Sequence, residues 1–248
     1  MNDSGRIILI LGGARSGKST FAERLAAELA SDTTAVPAAS GAPARSNEAG
    51  SGAPAGRVTY LATLQPYDDD MVARIAKHKA DRPQGWRTVE CPQNVGAALR
   101  SHAAGTDVFL LDCVTLMVTN LVFAEGAFGG SDSGGVDNFD KARLPADEEA
   151  AAVARVRGGI DDLLAAVAET GATLIAVSNE VGLGLVPEYP LGRLYRDHLG
   201  WANQHLARVA DEVYFLVAGI PLDLKSLDAS PFGASLPRSP HSSQETAP

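Results

Sequence analysis

Gly12-Gly13-Ala14-Arg15-Ser16-Gly17-Lys18-Ser19 is the stretch on which the reading of this chain turns. It has the form G-x-x-x-x-G-K-S, the spacing of a phosphate-binding loop. An apolar run, Ile7 to Leu11, leads into it and predicts a buried strand. A helical pattern over Ser19 to Ala30 leads out, with Phe21, Leu25 and Leu29 on one face. The glycines let the backbone curl so that its N–H groups point at phosphate oxygens. Lys18 adds a positive charge, the Ser19 hydroxyl can hold Mg²⁺, and the helix N-terminus brings its partial positive charge to the same spot. Nucleotide binding is expected at Gly12, Gly13, Ala14, Arg15, Ser16, Gly17, Lys18 and Ser19.

Working outward, the chain alternates apolar strands with helical patterns. Val58 to Thr63 predicts a second strand, and Asp70 to Asp81 a helix stopped by Pro83. Trp86 to Cys91 reads as a short strand and Asn94 to His102 as a helix. Val108 to Asp112 is a buried strand ending in an acid, and Val114 to Phe123 is helical. A long amphipathic helix over Ala146 to Glu169 is closed by Gly171 and followed by a strand at Thr173 to Val177. A helix from Gly192 to Ala210 precedes a last strand, Glu212 to Ala218. Strands that are continuously apolar, separated by helices, predict an α/β fold of the P-loop NTPase kind: a mostly parallel sheet with helices on both faces. Such sheets bind ligands beyond the carboxyl ends of their strands. Thr63, Asp112 and Asn179-Glu180 fall at those ends, on the same rim as the phosphate loop.

Residues 31–57 and 124–145 are rich in small and turn-forming residues and read as loop-like insertions, with Arg45 and Arg57 a weak candidate basic patch. Residues 228–248, rich in Ser and Pro, read as a disordered tail on a single domain spanning 1–227. The chain has 248 residues, 45% hydrophobic, enough for one sizeable α/β domain. Its formal charge of −9, from 30 acidic and 21 basic residues, argues against nucleic acid as a partner. Its two cysteines, Cys91 and Cys113, suggest neither a disulfide framework nor a metal site. No secretory leader is recognisable, and no run approaches the roughly 18 apolar residues of a membrane span. These features predict a soluble cytoplasmic protein.

Three groups of residues are candidates for chemistry. Asp112, at the end of an apolar strand, is placed as the metal-side acid of phosphate-loop enzymes, with Ser19 as the other protein ligand of Mg²⁺. On the helix before Pro83, Arg74, His78 and Arg82 share one face at i, i+4 and i+8. Cations beside an imidazole disfavour its protonation, whereas the helix C-terminus favours it. If the cations win, His78 is neutral near pH 7, as a nitrogen nucleophile must be. Asn179 and Glu180 are candidates to contact substrate, or in the case of Glu180 to act as a base. His102, His198, His205 and His241 show no partner spacing and read as structural or surface residues.

The ordered set 12–19, Tyr60-Leu61-Ala62-Thr63, Arg74-Ile75-Ala76-Lys77-His78-Lys79-Ala80-Asp81-Arg82-Pro83, 86–90, 110–121 and Ser178-Asn179-Glu180-Val181-Gly182 resembles the bifunctional adenosylcobinamide kinase / adenosylcobinamide-phosphate guanylyltransferase family of cobalamin biosynthesis. The resemblance covers about 6–30, 58–123 and 147–225. It implies two reactions: phosphorylation of the aminopropanol hydroxyl of adenosylcobinamide by ATP or GTP, then transfer of GMP from GTP to that phosphate through a GMP–histidine intermediate. The residue matching that histidine is His78. By the same resemblance the nucleotide contacts are Gly12 to Ser19, Ala62, Thr63, Leu64, Lys79, Ala80, Asp81, Arg82, Glu90 and Asp112, and the protein is expected to be a homo-oligomer, a trimer as in the family's known members. Some relatives carry a second histidine where Lys77 stands. The phosphate loop and His78 must serve different phosphorus atoms, so either the nucleotide binds in more than one pose or the helix carrying His78 moves. Two other readings compete. A kinase of another small alcohol or nucleotide would form no covalent nucleotide. A GTP-binding switch would read guanine through Asn-Lys-x-Asp, where this chain has Ser178-Asn179-Glu180-Val181.

Overall fold

The computed structural model describes residues 5–33, 57–65, 83, 85–124 and 145–227. The predicted helix over 70–81 with His78, most of both insertions, and the tail after 227 lie outside them. In chain order the described elements are β1 (Ile7–Gly12), α1 (Lys18–Thr33), β2 (Val58–Ala62), β3 (Arg87–Glu90), α2 (Val95–His102), β4 (Val108–Asp112), α3 (Val114–Val122), α4 (Ala146–Thr170), β5 (Thr173–Val177), α5 (Pro190–Val209), β6 (Glu212–Val217) and β7 (Ile220–Asp223). Among the described residues the strands form one sheet in the order β3-β2-β4-β5-β1-β6-β7. Every pairing is parallel except the last.

The strands are buried on both faces because helices cover both. On one side Ile8, Ile10, Val108, Leu110, Ile175 and Val177 meet α1. On the other, Leu9, Phe109, Leu111, Leu174 and Ala176 meet Leu99, Met117, Ile160, Leu163, Leu199 and Leu206 of α2 to α5. Fully burying a side chain of Leu or Ile size contributes about 1.5–3 kcal/mol, so this two-sided core holds the central strands as a rigid platform. The innermost stripe of α1 is not Phe21, Leu25 and Leu29, which pack partly buried at its flanks. It is Ala22, Ala26 and Ala30, each fully buried. Small side chains let α1 lie close over β4 and β5, which brings its first turn up to the end of β4.

Element boundaries follow local chemistry. Gly171 closes α4 with φ 65°, and its N–H donates to the Val167 carbonyl, a left-handed cap that glycine adopts without cost. The fifth helix starts at Pro190, two residues before the expected Gly192, because proline's fixed φ suits a first helical turn. The predicted last strand ends at Val217. Ala218 and Gly219 follow at φ 52° and 83°, two left-handed residues that make a tight hairpin turn. That turn sends the chain back as β7, an antiparallel strand that Ile220-Pro221-Leu222-Asp223 did not announce.

Candidate active site

Strand ends converge where the sheet register places them. Ala62 is level with Glu90 on one side and Asp112 on the other, and Asp112 is level with Val177. β1 lies between β5 and β6, and its end, Gly12, opens the phosphate loop beside this row. Gly12 sits at φ 153°, and a Cβ there would stand 2.7 Å from both the Leu216 carbonyl oxygen and Ser16 Oγ. Only glycine accepts that backbone and that approach. The loop is braced from two sides: the Gly219 N–H of the β6–β7 turn donates to the Ser16 carbonyl (2.9 Å), and the Glu180 N–H donates to the Gly12 carbonyl (3.1 Å). The Ser16 hydroxyl is buried with no hydrogen-bond partner among the described residues.

Lys18 is buried in the loop, with its Nζ donating to the Gly13 carbonyl at 2.6 Å. Burial pushes its ammonium below the ordinary lysine value, while Cys113 and Asp112 pull the other way. Partial desolvation strengthens such a charge toward an anion. The Ser19 hydroxyl lies 3.4 Å from Asp112 Oδ2, and the Tyr60 hydroxyl donates to the same oxygen at 2.6 Å. Tyr60, nearly fully buried on β2, therefore fixes the carboxylate that faces the loop. In the sequence the one mark of this role is a tyrosine two residues before a strand end.

A buried polar network holds the rest of the rim. Thr63 is fully buried. Its hydroxyl donates to the Cys113 carbonyl and accepts from the Cys113 N–H, both at 2.8 Å. Asn120 Nδ2 donates to the Thr63 and Pro92 carbonyls, each at 2.8 Å, tying the chain after β2 to the chain after β3. Past β5, the Ser178 hydroxyl donates to Asn203 Oδ1, Asn203 Nδ2 donates to the Asn179 carbonyl, and the Asn179 N–H donates to Thr115 Oγ1. Asn120, Asn203 and Thr115 were not foreseen. For Thr115 and Asn120 the available sign was a polar residue inside the otherwise apolar α3, which when buried must be hydrogen-bonded; Asn203 lies among the polar residues of α5 and carries no such sign.

Of the predicted site residues, Gly12 to Ser19, Ala62, Thr63, Leu64, Glu90, Asp112, Asn179 and Glu180 lie on the one rim. Thr63 is there as an internal tie, with its side chain committed to Cys113. The backbones of Asn179 and Glu180 are committed to Thr115, Asn203 and Gly12. His78, Lys79, Ala80, Asp81 and Arg82 lie outside the described residues. Arg57 is not free for a basic patch, because its guanidinium is engaged by Asp107 at 2.7 Å. His102 Nδ1 meets the Ala98 carbonyl, and His205 stacks on Trp201 and approaches Asp161, as structural residues would. Both cysteines are free and buried.

Comparison with known proteins gives a consistent result. The family described as cobinamide kinase / cobinamide phosphate guanyltransferase matches residues 37–224. That match starts beyond the phosphate loop. The chain is 39% identical over 219 residues to the bifunctional adenosylcobalamin biosynthesis protein CobU of Salmonella typhimurium, covering 88% of this chain and 99% of that protein. It is 37% identical to the protein of the same name from Escherichia coli, with the same coverage. It is 40% identical over 217 residues to the bifunctional adenosylcobalamin biosynthesis protein CobP of Pseudomonas aeruginosa, covering 88% of this chain and 96% of that one.

Proposed function

The chain belongs to the cobinamide kinase / cobinamide phosphate guanyltransferase family, and on that premise we propose how its own residues divide the two reactions. In the first, the terminal hydroxyl oxygen of the aminopropanol arm of adenosylcobinamide attacks the γ-phosphorus of ATP or GTP held on Gly12 to Ser19. An O–P bond forms, the bond to the β–γ bridging oxygen breaks, and the hydroxyl proton passes to water. Lys18 offsets charge on the phosphates, and positioning does most of the rest. In the second, a ring nitrogen of His78 attacks the α-phosphorus of GTP and pyrophosphate leaves. A phosphate oxygen of adenosylcobinamide phosphate then attacks that phosphorus, the P–N bond breaks, and adenosyl-GDP-cobinamide leaves with His78 restored.

The observation that carries this reading is the gathering of buried Lys18, the Ser19 hydroxyl and the Tyr60-held Asp112 carboxylate at one strand end. The orphaned Ser16 hydroxyl beside Gly12 suits a phosphate oxygen. Ser19 and Asp112 are hard oxygen donors, and among the described residues no cluster of three His, Cys, Asp or Glu forms an all-protein metal cage. That donor set fits Mg²⁺, which takes one or two protein oxygens together with phosphates. When bound, Mg²⁺ supplies charge compensation on the transferring phosphate. Ala62, Thr63, Leu64, Lys79 to Arg82 and Glu90 are assigned to the nucleotide surroundings, and Asn179 and Glu180 to contact with the substrate arm. We take the protein to be a cytoplasmic trimer. Among the described residues no helix is long and apolar enough to cross a membrane.

The test uses GTP labelled at the α-phosphate. Wild type incubated with Mg²⁺ and then denatured should retain acid-labile, alkali-stable label, and His78→Ala should retain none. An unlabelled wild type that still binds nucleotide would leave a plain kinase as the better account.

A further inference from the structure

The loop between β5 and α5 carries an apolar surface that the phosphate chemistry does not use. Leu183, Leu185, Val186 and Tyr189 are exposed by 79%, 96%, 64% and 42%. Large apolar side chains gathered on one exposed stretch mark an interaction surface. The loop is also held in place. Arg196 Nη2 donates to the Gly182 carbonyl at 3.0 Å, and Arg193 Nη1 donates to the carbonyls of Pro187 and Glu188 at 3.0 and 2.6 Å. Two arginines thus commit donors to the loop backbone, and the apolar side chains are presented rather than tucked in.

Place and charge together single out the occupant. The loop leaves the rim at Glu180, whose N–H is bonded to the Gly12 carbonyl of the phosphate loop. Leu183 is three residues on, at most about 11 Å of extended chain. From Val181 to Pro187 the run is Val-Gly-Leu-Gly-Leu-Val-Pro, without a charged residue, so its side chains bring no cation to a triphosphate. The acceptor alcohol must reach the phosphate loop at the end of a short arm, and the bulk of that molecule is a broad ring whose faces carry methyl groups, with amides at its edge. We propose that Leu183, Leu185 and Val186 form the seat for the ring of the corrinoid substrate, holding it while its arm reaches the phosphate loop. This inference rests on the cobinamide reading above and adds the surface that recognises the ring.

The test compares wild type with Leu185→Ser and with the double variant L183S/L185S, both of which alter side chains too exposed to support the fold. Binding of adenosylcobinamide is read by equilibrium dialysis from its visible absorbance, GTP binding by the same method with labelled nucleotide, and molecular mass by light scattering. Losing the burial of one leucine on the ring predicts about tenfold weaker corrinoid binding for the single variant and about a hundredfold for the double. GTP binding and mass should stay unchanged. A corrinoid lacking the aminopropanol arm should compete on wild type and lose its hold on the variants in the same proportion. Unchanged corrinoid binding overturns the proposal. So does a fall in mass, which would give the patch to a second copy of the chain, or a parallel loss of GTP binding, which would mean general damage to the rim. Wild type that fails to bind adenosylcobinamide while binding GTP overturns the cobinamide reading and this inference with it.

Discussion

Asn120→Ala should cost far more than its single side chain suggests. Asn120 is 2% exposed, on α3, and its Nδ2 donates to two backbone carbonyls, Thr63 and Pro92, at 2.8 Å each. Removing the amide leaves both acceptors short of a donor in a dry region. Each such loss costs about 1–3 kcal/mol, and the vacated volume adds to it. The expected destabilisation is about 3 kcal/mol or more. In urea, with a slope of about 2 kcal/mol per molar, that lowers the midpoint by about 1.5 M at unchanged slope. Asn120→Asp is the control: it keeps the volume but sets a carboxylate against two carbonyls, so it should be at least as damaging. Because these bonds align the chain after β2 with the chain after β3, nucleotide affinity should fall in both variants under conditions where they remain folded. A midpoint for Asn120→Ala within about 0.3 M of wild type, or an Asn120→Asp variant as stable as wild type, would refute the argument from donated hydrogen bonds.

Gly12→Ala should be severe, since its Cβ would meet the Leu216 carbonyl and Ser16 Oγ at 2.7 Å in a backbone at φ 153°. Backbone strain and overpacking together predict a stability loss of about 2–5 kcal/mol, and a urea melt that finds the midpoint unchanged would contradict it. Tyr60→Phe keeps the ring and removes the hydroxyl held 2.6 Å from Asp112 Oδ2. It should cost about 1–2 kcal/mol in a urea melt and raise the Mg²⁺ concentration for half-maximal turnover several-fold, because the carboxylate is freed to rotate. The thiols should be silent in the native state: burial pushes Cys91 up to about 11 and Cys113 up to about 12, so neither is a thiolate at pH 8. A disulfide reagent should leave both untouched at that pH and titrate both in guanidinium, and fast reaction of either in the folded protein would count against its burial.

The strand, glycine loop and helix at 7–33 were legible because every signal there is local: an apolar run, glycines where the backbone must curl, and a lysine and serine at the helix start. The same holds for Asp112, an acid ending an apolar strand, and for Gly171 closing a long helix. Element type follows from neighbours in sequence, since periodicity and capping act over a few residues. What the sequence by itself determined was therefore the class of fold, the phosphate loop and the family-level chemistry. Only the tertiary structure decided the strand order, the antiparallel β7 behind the phosphate loop, and the alanine face by which α1 approaches β4. It also decided that Tyr60 holds Asp112, that Asn120 joins two strand ends, and that Asn203 and Thr115 anchor the backbone of Asn179. A hydrogen bond between residues dozens of positions apart has no trace in local propensity, because its partner is chosen by where the sheet register and helix packing bring the chain.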